Sequence, residues 1–200
     1  MDILKEVRSS TRPWHDKMEE VALSDKIAAG TLSLSEYKAI ILGHYIFHKE
    51  AEQRLLQHEE LAATEGLELT SRMKTPFLAR DVEQLGLKPY RFDFFPELTI
   101  DTLPQALGCM YVMEGATLGG TVIGRSLEKV PEITSTHAMQ YYGCYGEQTG
   151  KRWKRFKEVV EQQVTEENDE RNFLDTAANT FRKYAACMEK AMRQMRVTKD

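Results

Sequence analysis

The chain has 200 residues, 42% of them apolar and 29% charged, which is enough to bury one core and too little for a second full domain. A formal net charge of −4 offers no global attraction to nucleic acid or to an anionic membrane surface, so neither is expected as a partner. The opening MDILKEVRSS places charges where a secretory signal would carry an unbroken apolar stretch, so no leader is read there and the cytoplasm is the expected compartment.

Apolar residues recur at helical spacing along almost the whole chain, and alternating β-branched runs are missing, which predicts an all-α, single-domain bundle over residues 1–200. A first helix is predicted over residues 2–20 with Ile3, Leu4, Val7, Trp14 and Met18 inward, kinked at Pro13 at a cost of ~3 kcal/mol if unrelieved. A second starts at the capping-box pair Ser33 and Glu36, carries His44 and His48 on a broad face and ends near Ala62. A third, over residues 71–85, stops at Gly86, and residues 88–98, with Pro89 and Pro96, read as an irregular loop. A fourth enters near Pro104 and leaves before Pro131. After a glycine-rich link at residues 142–150, two more helices are predicted over residues 150–165 and 168–195. Cys109, Cys144 and Cys187 lack the close spacing of a zinc site or a redox pair and are expected to be reduced thiols in the core.

The fourth helix contains Gly108, Gly115, Gly119, Gly120 and Gly124, each costing roughly 1 kcal/mol in a helix interior relative to alanine. Gly108, Gly115 and Gly119 follow one another at spacings of seven and four, which puts a bare strip of backbone on one face for another helix or a flat ligand to approach. Residues 106–123 are apolar enough to raise a membrane reading, but Glu114 in their middle, Arg125 behind them and the lack of a second span argue against it.

Five histidines are present. His58 lies among glutamates and reads as solvated. Arg8, Arg12 and His15 fall within two turns of the first helix and join an axial ligand to cations able to meet carboxylates. His44 and His48, with Glu52 one turn on, offer an alternative of a different kind, a non-haem di-iron oxidase site. The E-x-x-H companions of such a site are missing, so both histidines read as core residues.

Three stretches together resemble the haem oxygenases, particularly the bacterial biliverdin-forming type often found with phytochromes. Residues 7–19, VRSSTRPWHDKME, are similar to that family's L-R-x-x-T-R-x-x-H-x-x-x-E opening. Residues 106–127, ALGCMYVMEGATLGGTVIGRSL, look like its distal helix, and residues 141–156, YYGCYGEQTGKRWKRF, match the Y-G-x-x-x-G-x-x-W-x-x-F signature of its bacterial members.

The resemblance implies a haem-oxygenase-like bundle with haem b, both cofactor and substrate, between the first helix and the glycine-rich distal helix. It implies oxidative cleavage to biliverdin, carbon monoxide and ferrous iron with O2 and electrons from a ferredoxin or flavoprotein, the biliverdin passing to a phytochrome. It makes His15 the axial iron ligand, places Gly115, Gly119 and Gly120 at the catalytic distal face, and suggests Arg8, Arg12, Lys151, Lys154 and Arg155 for the propionates. One position departs: animal members have an aspartate after the first distal glycine, and here that residue is Ala116. The departure bears on proton delivery and keeps open a non-catalytic haem-binding protein.

Overall fold

The computed structural model describes residues 2–88 and 98–197, so all but the two ends of the loop expected at residues 88–98 lie outside the described residues. Among the described residues the chain forms helices and no strand.

The first predicted helix is two, α1 (Ile3–Ser10) and α2 (Arg12–Val21). Thr11, 3% exposed, ends α1 by donating its hydroxyl and its N–H to the Val7 carbonyl. Pro13 then falls in the first turn of α2, where its missing N–H costs nothing, so no kinked continuous helix forms. The break resets the helical phase. Ile3 and Val7 stay buried, but α2 buries none of its residues, and Trp14, expected inward, is 37% exposed.

A short helix, α3 (Ser24–Ala29), follows that has too few residues to show a helical repeat in sequence. The predicted capping box opens α4 (Leu34–Leu56): Ser33 Oγ accepts from the Glu36 N–H at 3.3 Å, and the Glu36 carboxylate accepts from the Ser33 N–H at 3.0 Å. α4 ends before the predicted Ala62 because α5 (Glu59–Ala63) starts afresh. His58 caps it, its Nδ1 accepting from the Leu61 N–H at 3.2 Å, so this histidine is a helix cap and not merely a solvated side chain.

After a 3-10 turn at Leu69–Arg72, α6 (Thr75–Gln84) closes as predicted at Gly86, whose φ of 64° lets the Leu87 N–H reach back to the Val82 carbonyl at 3.0 Å. Next come α7 (Leu103–Leu127), α8 (Pro131–Thr134), an irregular stretch ending in a 3-10 turn at Gly146–Gln148, α9 (Thr149–Gln163) and α10 (Glu167–Val197).

The long helices share one core. α10 runs against both α4 and α7, α6 lies on α4, α9 on α7, and α2 crosses α10. α4 and α7 are enclosed on most sides and so carry no clear polar face. Among the described residues α7 is the one helix long and apolar enough to cross a membrane, but 56% of its apolar window is buried in the bundle, as befits a core helix. All three cysteines are free; burial pushes the Cys109 thiol up to about 12 and those of Cys144 and Cys187 up to about 11, which makes them unreactive.

Candidate functional site

His15 stands on the outward side of α2, its side chain 53% exposed. Its ring meets the Phe181 ring of α10 edge-on, centroids 5.9 Å apart. One turn on, a Glu19 carboxylate oxygen lies 3.8 Å from His15 Nδ1, leaving Nε2 directed elsewhere. His15, Asp16 and Glu19 bring their ligand atoms within 4.8 Å of one another, although Asp16 is already paired with Arg12 at 2.8 Å. The separation of His15 from Glu19 is too long for a hydrogen bond, and a half-exposed imidazole with a carboxylate beside its Nδ1 suits axial ligation.

The five glycines of α7 do not share one task, contrary to the single strip read from their spacing. A Cβ on Gly108 would stand 2.5 Å from the Phe173 carbonyl oxygen, so this glycine lets α10 pack closely. Cβ atoms on Gly120 and Gly124 would lie 3.5 and 3.3 Å from the Tyr142 side chain. At Gly115 and Gly119 a Cβ would meet nothing within 4 Å. These two glycines, with the exposed apolar side chains Leu118 and Val122, leave part of α7 open and bare. No described atom outside the helix's own neighbouring turns occupies the space within 4 Å of a Cβ at either position.

Inside the bundle lies a polar cluster that the sequence reading did not assemble. Glu114 of α7, 2% exposed, accepts from Arg72 and Lys74, 2% and 1% exposed, and from the Tyr145 hydroxyl at 2.8 Å. Burial pushes the Glu114 carboxyl up, but Lys74 and Arg72 outweigh it and hold the group below its ordinary range. Glu52 of α4 accepts from the N–H groups of Lys74 and Thr75 at 2.6 and 3.0 Å and from His48 Nδ1 at 3.1 Å. His48 Nε2 continues to the Tyr141 hydroxyl at 3.2 Å, which reaches Tyr184 at 3.4 Å; Tyr184 bonds His44, and His44 Nε2 meets the Tyr142 hydroxyl at 3.4 Å. Burial, helped by His48, drives His44 down to about 3, and burial lowers His48 against the pull of Glu52. Both rings are therefore neutral core groups with both nitrogens engaged by protein partners. In the sequence, Glu114 within an apolar helix and the spacing of His44, His48 and Glu52 are signals of this cluster; nothing local marks Arg72 or Lys74 as buried.

Of the basic residues predicted to meet carboxylates, Arg8 lies on α1 and is exposed, and its charge acts on the hydroxyl of Tyr111, one turn before Gly115 on α7. Burial raises the Tyr111 hydroxyl and the Arg8 charge partly opposes it. Arg12 is exposed and tied to Asp16, while Lys151 and Lys154 project from α9 into solvent. Arg155 is half-buried, pairs with Glu158 at 3.3 Å and lies over Gly66, where a Cβ would fall 2.0 Å from its guanidinium. It thus serves the α9 surface in this structure. A cavity of about 480 Å³ walled by Arg54, Glu59, Leu98 and Asp101 contains none of these groups and borders the undescribed residues.

A family model for heme oxygenase matches residues 1–190. The chain belongs to the haem oxygenase family. This haem oxygenase is 25% identical over 162 residues to a heme oxygenase of Xanthomonas campestris pv. campestris (strain 8004), a match covering 81% of this chain and 94% of that one. In fold it is similar to the NO- and CO-bound heme oxygenase of Neisseria meningitidis, with a TM-score of 0.76 and 20% identity over 94% of this chain and 91% of that one. It is also similar to heme oxygenase-1 of Synechocystis sp. PCC6803 in complex with heme, at a TM-score of 0.71 and 10% identity over 99% and 96% of the two chains. As a haem oxygenase the protein is an oxidoreductase with haem as cofactor and substrate.

Proposed function

We propose that haem lies between α2 and α7, with His15 Nε2 as its axial ligand and the backbone at Gly115 and Gly119 against the opposite face, and that the protein opens the ring to biliverdin, carbon monoxide and ferrous iron. One observation carries this reading. Two glycines in the interior of a core helix, each costing roughly 1 kcal/mol relative to alanine, border open space that the protein itself does not fill. Gly120, expected beside them, acts from behind, where Tyr142 packs on it.

Bound haem supplies the redox-active iron and the porphyrin carbon that reacts. The chain supplies ligation, orientation and control of water. Glu19, one turn on from His15, offers its carboxylate on the Nδ1 side of the ring. Arg8, with Tyr111, is placed to take a propionate at the α1 side of the open strip; Arg12, Lys151, Lys154 and Arg155 are rim residues for the same purpose. Ala116 has no side chain able to hold water beside the strip. In the core, neutral His44 and His48 join Glu52, Tyr141, Tyr142 and Tyr184 in one hydrogen-bonded chain.

O2 and an external electron donor, a ferredoxin or a flavoprotein, complete the reaction, in the cytoplasm, where three free thiols are at home and where a phytochrome is a fitting recipient for the biliverdin. The test is to add haem, a reductant and oxygen and to follow the absorption spectrum. Growth of a biliverdin band is expected; a stable haem spectrum under those conditions would show a haem-binding protein without turnover.

A further inference from the structure

Residues 138–145 form a strap that ties four helices together. Tyr37 of α4 donates to the Ala138 carbonyl, Tyr141 bonds His48 and Tyr184, Tyr142 bonds His44, and Tyr145 donates to Glu114. The backbone of the strap is held by Asp81 of α6, which is fully buried: Oδ1 accepts from the Gln140 N–H and Oδ2 from the Tyr141 N–H, both at 2.9 Å. Burial pushes the Asp81 carboxyl up and these two N–H donors oppose it. A carboxylate is the side chain that suits the site, because both of its oxygens face donors.

Next along the strap, Tyr142 packs against α7, its ring where a Cβ on Gly120 would stand 3.5 Å away and its Cβ where one on Gly124 would stand 3.3 Å away. At about 100° per residue, that pair lies about 140° round the helix from Gly115 and Gly119. Tyr142 therefore backs the same stretch of α7 whose other side is open, and its position limits how far that stretch can move away from a ligand.

We propose that Asp81 is a positioning residue for the distal side of the haem site, acting through the Gln140 and Tyr141 N–H groups and the Tyr142 ring behind α7. The role rests on the reading that haem lies against Gly115 and Gly119. Asp81→Asn conserves shape but turns an NH2 group towards one of the two N–H donors. The strap then loosens, and the distal backbone loses its stop.

The test uses the full chain, without haem and loaded with it, and compares Asp81→Asn with Leu78→Ala, which removes buried apolar volume from the same helix and keeps the Asp81 carboxylate. In the haem-free protein, Asp81→Asn speeds amide exchange at Gln140 and Tyr141 by about tenfold relative to Leu78→Ala. In the loaded protein the histidine-ligated spectrum persists, while the C–O stretching band of the ferrous carbon monoxide complex shifts and the ratio of biliverdin isomers changes. Should Asp81→Asn not fold, Gly124→Ala presses the same residue from α7, its methyl 3.3 Å from Tyr142 Cβ, and the same two haem readouts move. A C–O band and isomer ratio left where the wild type and Leu78→Ala have them would overturn the role of Asp81 alone. A wild-type protein that takes up no haem would overturn the reading of the site, and the proposal with it.

Discussion

Glu114 faces two cations, Arg72 and Lys74, in a place almost closed to water, and its charge is what makes their burial tolerable. Replacing it with glutamine keeps the shape and leaves two buried cations without a counter-charge. Glu114→Gln is expected to cost about 3–5 kcal/mol, read as a lower urea midpoint at unchanged slope. His15 is the opposite kind of residue, half in solvent and dispensable for the fold. His15→Ala should keep the stability of the haem-free protein within about 0.5 kcal/mol, as for other surface changes, yet abolish the histidine-ligated spectrum and most biliverdin formation. His44→Ala combined with His48→Ala should preserve that spectrum, because both rings are spent on tyrosines and Glu52. Persistence of the axial signal in His15→Ala, or its loss in the double variant, would show that the ligand had been misassigned.

Within α7 the glycines separate into three environments, and each gives a different response to a methyl group. Alanine at Gly115 or Gly119 meets open space and relieves the helix of glycine's entropy, so each change should stabilise the haem-free protein by about 0.5–1 kcal/mol while weakening haem binding. Alanine at Gly108 meets the Phe173 carbonyl at 2.5 Å and should destabilise by about 1–3 kcal/mol through overpacking against α10. Melting temperatures of the three variants with and without haem check both signs. Gly119→Leu goes further: it should fold and keep the His15 bond but lose or redirect ring cleavage. A destabilised Gly119→Leu protein with normal product would mean that the glycine serves packing only. The sequence showed the spacing of these residues, but spacing cannot say which neighbour stands against each one.

For the molecule as a whole, the buried imidazoles set the acid side of stability. His44, lowered to about 3 in the fold, and His48, also lowered, bind protons more readily in the unfolded chain, whose ordinary value is near 6.5. Stability from this source is therefore fully present above about pH 6.5 and is lost as pH falls, at up to about 1.4 kcal/mol per pH unit for each ring. Below the carboxylate range Glu114 and Glu52, both lowered in the fold, add losses of the same sign, and Asp81, raised, opposes them. Urea midpoints at pH 7, 6 and 5 should fall steadily in the wild type and more gently in His44→Gln. A flat profile across that range would contradict the neutral buried state of these histidines.

Helical periodicity, the Ser33–Glu36 capping box, the stop at Gly86 and the entry at Pro104 are local signals, set by neighbours within a turn or two, and the sequence by itself determined them along with the all-α class. The order of three motifs along the chain was likewise enough to indicate the family. The break at Thr11 was a matter of balance, since Pro13 is compatible with either a kink or a fresh start, and the burial of Thr11 selected the second. Tertiary structure alone decided which glycines are bare, that Arg72 and Lys74 are buried on Glu114, and that Asp81 holds a strap some 60 residues away in sequence, Gln140 and Tyr141 being 59 and 60 positions on. The reason is physical: burial and charge pairing are set by contacts between helices far apart in the chain, and a residue's own neighbours in sequence carry no record of them.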